Sequence, residues 1–210
     1  MDQKRLLSST HVEQEGFVDE QSLQGYVIRS LDVLFALTGL VLGAPVLLLL
    51  CVAGYFDTGS PLLRQKRVGR NGQTFVLVKF RTMRIGTGAV ATHLADATAI
   101  TPLGRMLRRT KLDELPQLWN VLKGEMSLVG PRPCLPGQEE LIGFREARGV
   151  LRARPGITGL AQIRGIDMST PERLASTDAL MMDNLSVRNY LYYILMTVAG
   201  KGIGDRVKEQ

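Results

Sequence analysis

The chain has 210 residues, enough for one compact domain with a membrane element and too few to require two domains. Its 26 Lys/Arg against 20 Asp/Glu give a net charge of +6, a balance that suits nucleic acid, anionic lipid or a phosphorylated substrate. Cys51 in an apolar run and Cys134 in a loop support neither a disulfide framework nor a zinc site, and His11 and His93 have no Cys or His at ligand spacing.

Residues 1–24 read as a loosely ordered extension. Val33 to Phe56 carries no charge and, as a straight helix, would reach about 36 Å, enough to cross a hydrocarbon core of about 30 Å. Pro45, preceded by Gly43 and Ala44, predicts a kink near its middle. The run starts late and follows Glu13, Glu15, Asp19 and Glu20, so it does not read as a signal peptide. From Ser60 to Arg84 there are seven Lys/Arg and no acid, a juxtamembrane pattern that favours an anionic leaflet. No nucleic-acid-binding signature surrounds it, and nucleic acid is set aside as a partner.

Pro61–Val68 and Thr74–Met83 read as a hairpin around Arg70-Asn71-Gly72, since Asn-Gly is a strong turn signal. Residues 84–99 are small and polar, a loop; Thr101 then caps a helix opened by Pro102 and running to Thr110. Next comes Leu112-Asp113-Glu114-Leu115-Pro116, which sets two carboxylates at the opening of a helix closed by Gly124. Ordinarily such a pair is a cap plus an exposed first-turn acid. Here Arg105, Arg108, Arg109 and Lys111 lie just upstream, and with the helix dipole they would hold Asp113 ionised, as a nucleophile or a metal ligand must be. Two Gly/Pro-punctuated segments follow, Gly124–Pro133 and Arg154–Ile163, each carrying an arginine in a setting that can fix side chains and amides around an anion. Glu139–Ala153 reads as a mixed-charge amphipathic helix, Thr170-Pro171 opens another, and Val187–Ala199 is mostly apolar with Tyr190, Tyr192 and Tyr193, either an interfacial belt or a buried terminal helix.

Lys79-Phe80-Arg81-Thr82-Met83, the Asp113–Pro133 block and the Arg154–Ile163 block, in that order, resemble the bacterial sugar transferases known as monotopic polyprenyl-phosphate phosphoglycosyl transferases. The resemblance covers roughly Arg29 to Ser186. It implies an α+β, mostly helical fold with a membrane-inserted re-entrant helix over 25–58. A compact cytoplasmic catalytic domain over 59–210, with a small hairpin and interfacial amphipathic helices, would sit on the bacterial inner membrane. The re-entrant helix would break at Ala44-Pro45, where the family usually has Ser before the proline.

The activity implied is transfer of a phosphosugar from a nucleotide diphosphate sugar, uridine being the commoner nucleotide, to polyprenyl (undecaprenyl) phosphate, releasing a nucleoside monophosphate. This would be the first membrane step of bacterial glycoconjugate assembly. Asp113 would be the nucleophile forming a covalent phosphosugar aspartate, Glu114 the second catalytic carboxylate, and Mg²⁺, with Asp113 as ligand, the expected cofactor. Arg108, Arg132 and Arg154 match basic family positions for phosphate binding. Lys79 and Arg81 are further candidates that a solvated strand face would explain equally well. The phospholipid bilayer is an expected partner, and a homodimer is compatible with the reading. In the tail Asp178, Asn184 and Ser186 match the family, whereas Met181, Met182, Tyr190 and, earlier, Ala99 depart from it where donor selection could reside. The alternatives are a catalytically silent, membrane-anchored relative, which predicts erosion at Asp113 or Glu114, and a single-pass protein with a basic lipid- or nucleic-acid-binding domain.

Overall fold

The computed structural model describes residues 22–86 and 97–202. Residues 1–21, most of the expected N-terminal extension, and 87–96, within the expected polar loop, lie outside them. The first element is a 36-residue helix, α1 (Leu23–Thr58), capped by Ser22 and closed by Gly59 in the left-handed region. Pro45 lies inside it, so the expected break at Ala44-Pro45 does not interrupt the element. Losing one backbone donor there is tolerated because both halves of the helix are packed against the rest of the molecule.

That packing follows one stripe. Ile28, Asp32, Ala36, Leu50 and Gly54 are buried at three- to four-residue intervals, or multiples of them, as one face of an α-helix requires. The opposite face exposes Leu34, Val41, Leu42, Leu48, Leu49 and Phe56, the last at 83%. An apolar helix with one side on protein and the other bare is what a bilayer-seated helix needs.

The hairpin forms as expected: β1 (Leu62–Val68) pairs antiparallel with β2 (Thr74–Phe80), and Asn71 and Gly72 both take positive φ at the turn. Thr101 accepts from the Gly104 amide to start α2 (Pro102–Thr110). After α3 (Gln117–Leu122), β3 (Ser127–Val129) pairs in parallel with β4 (Gly156–Thr158), so the two arginine-bearing segments read as loops are joined side by side. Gly130 and Gly156 make this approach possible: a Cβ on Gly156 would stand 2.0 Å from the Gly130 nitrogen.

The expected helix from Glu139 is shorter than its pattern, α4 (Glu139–Ala147), because Gly149 turns left-handed and a 3₁₀ turn takes Val150–Arg152. The short α5 (Leu160–Ile163) leads to α6 (Pro171–Asp183) and α7 (Val187–Val198). Met181, Met182, Tyr190 and Tyr193 form a core with Ile28 and Val129. The departures at Met181, Met182 and Tyr190 thus sit in the core, and α7 is neither wholly buried nor wholly interfacial: Tyr192, Leu195 and Val198 remain exposed.

Candidate active site

The site is built on the bend between α2 and α3. Lys111 ends α2 at φ 58, ψ 13, and a 3₁₀ turn, Leu112–Glu114, follows at once. The Glu114 amide donates to the Lys111 carbonyl at 3.1 Å and the Leu115 amide to the Leu112 carbonyl at 3.3 Å. Leu112 packs with Phe80, Leu107 and Leu50, which pins the turn to β2, α2 and α1. The expectation that Asp113 caps α3 is corrected: α3 starts at Gln117 after Pro116, with no side chain capping it, because the left-handed residue and the 3₁₀ turn use up the intervening chain. Gly124 does close α3 as expected, at φ +83 with its amide on the Val121 carbonyl.

Asp113 is buried, and beside it Glu114 Oε1 accepts from Arg132 Nη2 at 2.8 Å. The loop after β3 thus reaches the Asp113 turn. Arg132 is held from behind: Arg145 Nη1 donates to the Arg132 carbonyl at 2.9 Å, while Arg145 Nε and Nη2 both reach Asp178 Oδ2, at 3.0 and 2.7 Å. Burial pushes the Asp178 carboxyl above the usual carboxylate range, against the opposing pull of the Arg145 guanidinium. Arg108 Nε donates to Thr82 Oγ1 at 2.8 Å, and its buried Nη1 has no hydrogen-bond partner. An orphaned guanidinium nitrogen next to the Asp113 turn is suited to an anionic ligand.

Lys111 joins the same group. Burial lowers its ammonium pKa; Glu114 works against that and Arg132 adds to it, and Nζ donates to the Lys201 carbonyl at 3.1 Å.

The other three predicted cations have different surroundings. Arg154 Nε donates to the Gly124 carbonyl at 2.9 Å, beyond the C-terminal end of α3, where Arg29 also donates to the Val121 and Leu122 carbonyls. Arg81 Nε donates to the Ser60 carbonyl at 3.0 Å, tying the hairpin to the end of α1. Lys79 is buried on β2 opposite Leu63. The structure thus groups Asp113, Glu114 and Arg132, with Arg108 on the preceding helix, and gives Arg154 and Arg81 backbone carbonyls to satisfy.

Sequence reasoning placed Lys111 among the cations upstream of Asp113 but passed over Arg145 and Asp32. Arg145 lies four residues after Leu141, on the buried face of α4, and that spacing was the available signal. Among the described residues no three His, Cys, Asp or Glu side chains cluster as a metal cage. Two adjacent carboxylates still fit Mg²⁺, which is usually held by one or two carboxylates together with substrate phosphates.

Residues 23–201 match the family model described as bacterial sugar transferase. The exopolysaccharide production protein ExoY of Sinorhizobium fredii is 38% identical over 189 residues, covering 81% of this chain and 83% of its own. The UDP-galactose-lipid carrier transferase of Erwinia amylovora is 34% identical over 193 residues, 82% of this chain but 40% of its own. The UDP-glucose:undecaprenyl-phosphate glucose-1-phosphate transferase of Caulobacter vibrioides is 43% identical over 143 residues, 66% of this chain and 54% of its own. This chain therefore spans most of the length of one of these relatives and about half or less of the other two.

Proposed function

Because the chain belongs to the bacterial sugar transferase family and is a sugar-phosphate transferase, we propose that it moves a phosphosugar from a uridine diphosphate sugar to undecaprenyl phosphate. The observation that carries this reading is the buried Asp113 beside the Glu114–Arg132 pair, with an orphaned Arg108 nitrogen on the preceding helix.

An Asp113 oxygen attacks the phosphorus nearest the sugar. The bond from that phosphorus to the bridging oxygen breaks, uridine monophosphate leaves with its electrons, and an acyl phosphate joins Asp113 to the sugar. An oxygen of the lipid phosphate then attacks the same phosphorus and frees the carboxylate, leaving a lipid diphosphate sugar. Splitting the transfer lets a water-soluble donor and a lipid acceptor use one carboxylate in turn. Arg132 and Arg108 bind donor phosphates, Arg132 exchanging part of its contact with Glu114 for the ligand. Glu114 keeps Arg132 aimed at the turn. Mg²⁺, held by Asp113 with Glu114 adjoining, would neutralise diphosphate charge that otherwise repels the nucleophile.

Membrane seating follows from α1. Ala36 packs with Leu118 and Val121 of α3 in its N-terminal half, and Leu50 with Phe80 and Leu107 in its C-terminal half. Near the end, Thr101 Oγ1 donates to Asp57 Oδ2 at 2.7 Å. Two halves tied to one domain support a helix that enters and leaves the bilayer on one face, the cytoplasmic face of the inner membrane, with the exposed side of α7 lying in the interface. The first step of exopolysaccharide or related glycan assembly is the biological role this chemistry fits.

The test is incubation of purified protein with undecaprenyl phosphate, Mg²⁺ and a panel of nucleotide sugars, reading released nucleoside monophosphate. Release that needs a uridine diphosphate sugar and stops in excess chelator is expected. Failure of every donor to react would reject the reading.

A further inference from the structure

Asp32 is 2% exposed on a helix whose other face is apolar, and its Oδ1 accepts three hydrogen bonds. They come from Tyr190 Oη on α7 at 2.8 Å, from Ser127 Oγ at 3.0 Å and from the Leu128 amide on β3 at 2.8 Å. Arg29, one turn earlier, stands 3.9 Å from Asp32 Oδ2 and donates to the last carbonyls of α3. A carboxylate is costly to bury, and three converging donors on one oxygen are what keep it there.

These contacts touch both arms of the site. α3 follows directly from the Asp113 turn, and β3 leads through Gly130 and Pro131 to Arg132. One helical turn of the membrane helix therefore holds the far end of the nucleophile's helix and the root of the arginine loop. The donor comes from water and meets groups that belong wholly to the soluble domain. The lipid acceptor comes from the bilayer, and its approach to Asp113 depends on how α1 is seated against that domain.

We propose that Asp32, gripped by Tyr190, Ser127 and the Leu128 amide, is a positioning residue that registers the membrane helix against the catalytic turn and so sets use of the lipid acceptor. The proposal rests on the transferase reading above. Tyr190 is central to it, since its phenol donates from α7 to the same Asp32 oxygen that Ser127 and the Leu128 amide hold from β3.

The test uses the full chain in lipid nanodiscs, with UDP-glucose and UDP-galactose as donors and undecaprenyl phosphate as acceptor. Asp32→Ala should raise the acceptor KM by roughly tenfold, the scale of losing hydrogen bonds to a charged group, while the donor-only burst of uridine monophosphate keeps its amplitude. Asp32→Asn, which keeps an accepting oxygen, should recover most of the loss. Tyr190→Phe, which removes one donor at little change in volume, should shift the acceptor KM the same way by less, and it decides the matter if Asp32→Ala does not fold. Hydrogen exchange of the 127–133 segment should quicken in the same order. An acceptor KM unchanged in these variants, or a burst that falls in step with it, would overturn the proposal even if exchange quickens. No turnover of any nucleotide sugar in a donor panel by the wild-type protein would instead overturn the transferase reading and this proposal with it.

Discussion

Arg132 Nη2 stands 2.8 Å from Glu114 Oε1, an ion pair that joins the loop after β3 to the turn carrying Asp113. Both side chains keep partial solvent contact, so the pair adds only modestly to stability and is free to open toward a ligand.

Arg132→Ala should therefore leave the fold nearly intact and weaken donor use. Losing one charge-assisted hydrogen bond of about 1.5–3 kcal/mol predicts a fall of roughly ten- to a hundredfold in kcat/KM for the donor. Steady-state kinetics beside a thermal melt checks this; wild-type kinetics in the variant would make the loop structural.

Lys111 occupies a left-handed C-terminal position where glycine is the favoured residue. Lys111→Gly should keep or slightly raise the melting temperature, relieving backbone strain of about 1–2 kcal/mol, while turnover drops with the lost ammonium beside Glu114 and Arg132. A melting temperature that falls together with activity would contradict this division of roles.

Arg145→Met leaves the Asp178 carboxyl buried without its cation, at a cost of about 3–5 kcal/mol near neutral pH. The sign with pH follows from burial having raised the folded pKa of Asp178 above its ordinary value. Such a group contributes its stability fully below the unfolded pKa, near 3.9, and loses it as pH rises through the folded pKa. Removing Arg145 raises that folded pKa further, so the gap between variant and wild type should widen from pH 4 to pH 7. Melting temperatures across that range test it, and a constant gap would mean Asp178 is not the group responsible.

Local signals carried the parts of the fold that were legible in advance. Asn71-Gly72 specified the hairpin turn and Thr101-Pro102 the start of α2, each within a few residues of chain. The β3–β4 pair was hidden because three-residue strands between Gly and Pro read as loops, and its register depends on the contact of Gly130 with Gly156 far along the chain. Asp113 and Glu114 stood out in the sequence, yet the capping role did not survive, since Lys111 adopts a conformation that residue type rarely signals. Arg145 and Asp32 read as ordinary charges. What distinguishes them is burial against Asp178 and Tyr190, which no local pattern announces.

For topology, cysteines introduced at Ser9 and Lys208 should both resist a membrane-impermeant thiol reagent in intact cells and both react after lysis. Labelling at Ser9 alone in intact cells would mean that α1 spans the bilayer. Pro45→Ala should shift the pattern toward spanning if the proline sets the bend; an unchanged pattern would assign the seating to the contacts of Ala36, Leu50 and Asp57 with the domain.

The most direct test of the covalent mechanism is to incubate the protein with a productive uridine diphosphate sugar and Mg²⁺, without lipid acceptor, and map the product by mass spectrometry. The account predicts a phosphosugar adduct on the peptide containing Asp113, discharged by added undecaprenyl phosphate and absent from Asp113→Asn. Full turnover by a folded Asp113→Asn variant, or an adduct on another residue, would contradict it.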